Sequence, residues 1–212
     1  MTAQPLLLLG AGGLARETLV AIRAQPDRWR PIGVLDDNPV RHGDVVDGVP
    51  VLGPTERVFD HPDAAVVPCV AGPARPTSRL RLTERLGLLS DRWATIIHPA
   101  AQIAPGTAIG AGSILLANVV ITAPIVLGAY TMAMPHVLLT HDDELADGVT
   151  LAGRATLAGG VRVGAGAYLG QGCLIRENVT IGAGAVVGMG AAVLTDVPDG
   201  QTWAGVPARK LR

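Results

Sequence analysis

Aromatic side chains are nearly missing from this 212-residue chain, which has three Trp, two Tyr and one Phe. A core without large rings must be built from aliphatic and small residues, which points away from an ordinary globule and towards a tightly wound repeat. Cysteine is scarce too. Cys69 and Cys173 stand far apart, with neither a CxxC nor another metal-ligand spacing, so they read as free buried thiols of a cytoplasmic protein rather than as a disulfide. Excess charge is also lacking. The formal net charge is -1, so no basic field marks the chain for nucleic acid or an anionic membrane. No apolar run reaches the about 18 residues that a membrane-spanning helix needs. The N-terminal "PLLLLGAG" is too short for a signal peptide and has no basic flank.

Glycine and aliphatic residues are abundant, with 27 Gly and 49% apolar residues overall. They are organised differently in the two halves. The first half alternates strand-like and helix-like segments. Strands are expected at 5–9 (PLLLL), 31–35 (PIGVL), 49–53 (VPVLG) and 64–70 (AAVVPCV), and helices at 13–24 and 77–89. Such alternation predicts a small parallel α/β domain, here drawn over residues 1–94.

From residue 97 an apolar residue recurs every six positions without a break: Ile97, Ile103, Ile109, Leu115, Ile121, Leu127, Ala133, Leu139, Leu145, Leu151, Leu157, Val163, Leu169, Ile175, Ile181, Val187 and Val193. Only Ala133 is not Ile, Leu or Val. The third residue after each is often Gly, as at Gly106, Gly148 and Gly160, and at four others it is Asn118, Asn178, Asp142 or Asp196. This is a hexapeptide repeat, the signature of a parallel β-helix. A short strand turns one large apolar residue inward, and a corner follows that needs positive φ, which Gly supplies at no steric cost and Asn or Asp next best. Three hexads make one triangular coil, so residues 18 apart stack, giving about five to six coils over residues 95–212.

These unbroken hexads end in "DVPDGQTWAGVPARKLR". Together with "LLLLGAGGLARE", "GVLDDNP", "IIHPAAQIAPG" and a His-acid pair in mid-repeat, they resemble the hexapeptide acyltransferases. The chain is most similar to the bacterial nucleotide-sugar acetyltransferases, the bacillosamine-pathway N-acetyltransferases and sialic-acid O-acetyltransferases. The resemblance covers essentially the whole chain. It implies a Rossmann-like N-terminal domain followed by a left-handed β-helix, an exception to the right-handed crossover rule. It also implies a homotrimer with its active site between subunits, acetyl-CoA as donor and a sugar nucleotide as acceptor.

His141 and Asp142 occupy an outward corner of the hexad that begins at Leu139. Acyl transfer needs a base to take the acceptor's proton, which a neutral imidazole does near neutral pH. A neighbouring carboxylate fixes its tautomer. Gly159 lies 18 residues further on, one coil above, where its backbone N–H can serve a tetrahedral oxyanion. The resemblance implies the same roles for His141, Asp142 and Gly159. It further implies that acetyl-CoA meets Thr150, Gly159, Gly160, Gln171, Met189, Pro207 and Arg209. Relatives commonly have a second histidine where this chain has Thr150, and a small residue or Cys where it has Asp143. The hexad phase turns Asp143 inward between Ile125 and Val161, where a carboxylate requires a partner. The tail cations Arg209, Lys210 and Arg212 fit either CoA phosphates or a solvated basic end.

In the N-terminal half, "GAGGLA" at 10–15 fits G-x-G-x-x-A between a strand and a helix, with Asp36 ending the next strand. That arrangement seats a pyrophosphate on a helix N-terminus. It makes Gly10, Gly12, Gly13, Asp36, Asp37 and Asn38 the candidates for holding the sugar nucleotide. NAD is a second reading, but the other half of a dinucleotide fold is missing. Relatives often carry His in place of Leu14 and Gly-Asn in place of Gly72-Pro73. Two other functions are weighed. One is a γ-class carbonic anhydrase-like metalloenzyme using His98, His136 and His141. The other is a non-enzymatic nucleotide-binding trimer.

Overall fold

The computed structural model describes residues 2–211. Its N-terminal half contains β1 (Gln4–Leu9), α1 (Gly13–Arg23), β2 (Trp29–Leu35), β3 (Val45–Val46), β4 (Val49–Gly53), β5 (Ala65–Pro68) and α2 (Ser78–Leu86). The sheet order is β3-β4-β2-β1-β5. All neighbours run parallel except the β3–β4 hairpin. β1 lies inside the sheet and is buried on both sides, which explains its unbroken leucines. Leu6 and Leu8 pack with α1, while Leu7 and Leu9 pack towards Leu86 and Trp93. Every expected strand and helix is present, that at 49–53 with its expected bounds and the others with shifted ends. β2 starts earlier because Trp29 is buried and pairs with Gln4. α2 stops at Leu86 because Gly87 adopts the left-handed conformation. The β3–β4 hairpin was not foreseen, although its Asp47-Gly48 turn, with φ of 44° and 86°, is a strong hairpin signal.

From Ile96 onwards two-residue strands line three faces of a prism. The first face contains Ile96–Ile97, Ile114–Leu115, Met132–Ala133, Thr150–Leu151, Tyr168–Leu169 and Val186–Val187. The second contains Gln102–Ile103, Val120–Ile121, Leu138–Leu139, Thr156–Leu157, Leu174–Ile175 and Ala192–Val193. The third contains Ala108–Ile109, Val126–Leu127, Glu144–Leu145, Arg162–Val163 and Thr180–Ile181. Pairing is parallel at a spacing of 18, as in Ile121 with Leu139. The second residue of each strand points inward, and from Leu115 upwards these side chains form one buried column. Each such aliphatic side chain contributes about 1.5–3 kcal/mol. Ile97, Ile103 and Ile109 are only half-buried, because they lie on the lowest coil with nothing beneath them. The opposite end is closed by a hairpin of Thr202–Ala204 and Arg209–Lys210, with Ala208 buried and Trp203 against the column.

Eight corners turn through glycine with positive φ, and Asn118, Asp142 and Asn178 join them at φ near 60°. Asp196 does not. Its carboxylate accepts the Thr180 N–H at 2.8 Å, and Val197 bridges directly to Ile181, so the last corner closes by another route. Tyr130, His136 and Arg154 also take the left-handed conformation, against a steric cost of about 1–2 kcal/mol each.

The N-terminal half covers the first face. α1 packs there with Ile96, Ile114 and Met132, and Gln25 Nε2 donates to the Ile97 carbonyl at 2.8 Å. On the other side of that face, Leu80 lies against Gly148 and Gly166. Among the described residues, the N-terminal half leaves the second and third faces uncovered.

Candidate functional site

His141 lies on the corner between the two uncovered faces. Leu139 and Leu145, both buried, anchor the segment from below, so residues 140–143 must form the turn. Asp142 takes φ of 62° at its bend. Its Oδ2 accepts a hydrogen bond from His141 Nδ1 at 2.8 Å. A carboxylate only accepts, so the proton lies on Nδ1 and Nε2 is the free base nitrogen. Both side chains project into solvent, 69% and 84% exposed, so the pair is reachable from outside.

The imidazole lies against Gly159. A Cβ built there would fall 2.3 Å from His141 Cε1 and 2.6 Å from Nε2. Glycine is therefore required by the ring itself. The coils are tied at this point by Gly160 N–H donating to the His141 carbonyl at 2.9 Å. Among the described residues no acceptor meets the Gly159 N–H. A free donor and a free base nitrogen thus adjoin one another.

Asp143 is inward, as the hexad phase predicts, and 1% exposed. It has partners that no side-chain pattern could reveal. Oδ2 accepts from Thr140 N–H at 2.9 Å and Oδ1 from Val161 N–H at 3.0 Å. Burial pushes its carboxyl up to about 6, against the downward pull of those two N–H groups and of His141.

At the carboxyl ends of β1 and β2, Gly10 has φ of 101° and no room for a side chain against Cys69. Gly12 and Gly13 differ: a Cβ there would meet nothing within 4 Å. They open α1 with no side-chain cap, leaving N–H groups towards open space. Asp36 accepts from Ala11 N–H at 2.6 Å and Asn38 N–H at 2.8 Å, so it shapes the glycine loop. Asp37 accepts from Thr55 and Arg85, both at 2.6 Å. Burial raises its carboxyl, but these bonds outweigh that and hold it below the ordinary value. Asn38 accepts from Val40 N–H at 3.1 Å. Beside Asp37, a cleft of about 310 Å³ is lined by Val70, Arg75, Ser78, Arg81, Leu82 and Arg85. The sequence pattern did not single out these arginines, because a charged helix reads as a solvated face.

The remaining site candidates fall on different edges. Thr150 is buried on the first face, opposite the His141 corner, and its Oγ1 accepts from Arg79 Nη2 at 2.8 Å. Gln171 and Met189 lie on successive coils of the corner between the first and second faces. On that corner, Glu17 of α1, Met134, Pro135, His136, Gly153, Arg154 and Gln171 line a cleft of about 460 Å³. His136 is therefore separated from His141 by the whole second face. Among the described residues no group of three or more His, Cys, Asp or Glu is placed to hold a metal. Pro207 and Arg209 are exposed in the closing hairpin, and Arg209 Nη1 donates to the Ala208 carbonyl. Arg212 lies outside the described residues.

Arg79 is a feature that sequence reasoning missed. It is 2% exposed and, among the described residues, has no carboxylate partner. Nη1 donates to Val70 O, and Nη2 to Gly148 O and Val149 O, besides Thr150. One guanidinium thus ties the β5–α2 loop to the β-helix, and burial pulls it down to about 10. Cys69 and Cys173 are free and buried, which pushes both thiols up to about 12.

No protein-family profile matches the chain, and no curated protein does. Solved structures do match along nearly its full length. The acetyltransferase domain of PglB from Neisseria gonorrhoeae FA1090 is 30% identical, with a TM-score of 0.87 over 98% of this chain and 100% of that one. PerB from Caulobacter crescentus, in complex with CoA and GDP-perosamine, is 28% identical, with a TM-score of 0.87 over 98% and 97%. WeeI from Acinetobacter baumannii AYE is 28% identical, with a TM-score of 0.83 over 97% and 99%. The short parallel strands accordingly fit a left-handed β-helix of the acetyltransferase kind. From its six-residue period to its full-length likeness to an acetyltransferase domain, the chain belongs to the hexapeptide-repeat nucleotide-sugar acetyltransferases.

Proposed function

We propose that the protein moves the acetyl group of acetyl-CoA to an amino group of a nucleotide-linked sugar, with a hydroxyl as the alternative acceptor. The observation that carries this reading is the open His141–Asp142 pair against Gly159. His141 Nε2 takes the proton as the acceptor nitrogen attacks the thioester carbonyl. The Gly159 N–H steadies the resulting oxyanion, and the CoA sulfur leaves as the carbonyl re-forms. Asp142 keeps the imidazole in the required tautomer and stabilises its charged form. Neighbouring structures support both ligands: the PglB domain was solved with acetyl-CoA, and a perosamine N-acetyltransferase with CoA and GDP-perosamine.

In this reading the β1–α1–β2 unit is a Rossmann-like cradle. The diphosphate lies on the N–H groups of Gly12 and Gly13, and Asp36, Asp37 and Asn38 order the loops around it. The placement of the two half-sites supports a homotrimer. The cradle covers the first face, whereas His141 stands on the opposite corner, so a sugar held by one chain reaches the histidine of a neighbour. CoA similarly needs Gly159 and Gly160 from one chain and Gln171 and Met189 from the next. The second face suits such packing, since its outward residues Gln102, Val120, Leu138, Thr156, Leu174 and Ala192 carry no charge. Two free thiols fit the reducing cytoplasm.

The test is CoA release from acetyl-CoA with UDP-, GDP-, TDP- and CMP-linked amino and neutral sugars. An amino sugar nucleotide is expected to release CoA, and His141→Ala to slow release by about 10²–10⁴-fold. No release with any of them overturns the reading.

A further inference from the structure

Asp143 occupies a core position at the corner that bears His141. The inward residues directly below and above are Ile125 and Val161, both apolar. At the corners between the first and second faces, the inward residue's N–H closes its own turn. Val137 donates to Met134 O, Ala155 to Ala152 O and Cys173 to Gly170 O, at 3.0–3.3 Å. Val161, which follows Gly159 and Gly160, instead donates to Asp143 Oδ1 on the coil below at 3.0 Å. The second oxygen takes the N–H of Thr140, the residue before His141. Ser113 accepts the Thr131 N–H in a similar way, but with one bond and no charge. One carboxylate therefore spans the peptide entering the histidine turn and the peptide leaving the glycine turn.

We propose that Asp143 is a positioning residue, an ionised buried clamp that fixes the His141 ring relative to the Gly159 N–H. The inference rests on the acetyl-transfer reading of the same corner. A clamp of this kind sets the separation between base and oxyanion donor, to which the rate is steeply sensitive. Its negative charge also favours the imidazolium that forms during transfer. The clamp needs the carboxylate form. Protonation leaves one oxygen as a hydroxyl facing a backbone N–H, two donors opposed. With the carboxyl pushed up to about 6, that loss falls within reach of ordinary assay pH. Other titratable groups at this edge are His141 and Asp142 on the same turn, Arg176 and Glu177 a coil beyond Gly159, and Asp196 one coil further. The adjacent turns, 122–125 and 158–161, contribute none. Glu144 and Arg162 face outward and pair with each other at 3.7 Å.

The experiment compares wild type with Asp143→Val and Asp143→Asn by two readouts. Amide NMR across pH 4 to 8 follows Thr140, Gly159 and Val161. In wild type these shift together with a midpoint near 6, and in both variants the transition is absent. Steady-state CoA release then shows kcat lower by about tenfold to a hundredfold, with KM for acetyl-CoA little changed. The acid limb of the wild-type pH profile is steeper than that of either variant by one proton. Asp143→Val matches the residue type of the adjacent coils and tests the proposal if the Asn variant fails to fold. Equal kcat and identical pH profiles in an active, folded variant overturn the proposal. So does the absence of a joint amide transition in wild type. If wild type itself releases no CoA, the functional reading fails and the amide readout alone decides whether the clamp exists.

Discussion

At the residue scale, the site depends on what glycine leaves out. Gly159 is not in the left-handed region, so an added methyl costs little backbone strain. It would, however, strike the imidazole 2.3 Å away. Gly159→Ala is therefore expected to melt within about 2 °C of wild type while losing about a hundredfold or more in kcat, as checked by thermal denaturation and CoA release. Asp143 gives the complementary case. Its carboxyl titrates at about 6 in the fold against an ordinary 3.8. A raised carboxyl lends stability below the lower value, and that stability is lost as the pH rises through the higher one. Between pH 4 and pH 8 the stability gap should therefore move in favour of Asp143→Val by about 2 kcal/mol in urea titrations.

Among the elements, the strands and corners of the repeat were legible from one rule. A six-residue period fixes which residue is inward and which bends the chain, and from Leu115 to Val193 only the Pro124 bend lacks the positive φ it implies. The rule was weaker at non-glycine bends. Residue type does not mark Tyr130, His136 and Arg154 as left-handed, only their place in the repeat does, because the ladder on either side imposes the turn and the residue bears the strain. Arg154→Gly should relieve about 1 kcal/mol and raise the melting temperature. A lower melting temperature would mean that the Arg154 side chain, lining the α1 cleft, contributes more than the strain costs. The closing hairpin was not foreseen either, since no hexad continues past Val193. Deleting residues 202–211 would expose the end of the apolar column, and soluble yield should fall, because an uncapped repeat invites stacking.

For the whole molecule, the decisive relation is between the glycine loop and His141. They lie on opposite sides of one chain, so the proposed active site is completed by a second. Mixing two inactive variants tests this. Gly13→Asp has room to fold, since no atom lies within 4 Å of the added Cβ, yet its charge opposes a diphosphate. His141→Ala removes the base. Dissociating and reassociating the two at equal amounts should restore activity at roughly a quarter of the sites, those with both intact halves. A site within one chain would give no recovery.

By itself, the sequence determined the coil, the corner and the His-acid pair that stands there. Period six is a local steric code, and a His-acid pair interrupting it stands out against glycine and valine. Only the tertiary structure decided how the groups at that corner meet. Stacking at 18 residues places Gly159 over the imidazole and brings the Thr140 and Val161 N–H groups to Asp143, because hydrogen bonds between coils join residues far apart in the chain. It also buried Arg79 in the joint between the two halves, with Thr150 as one of its acceptors. Such placements depend on how one half docks on the other, which no short stretch of residues encodes.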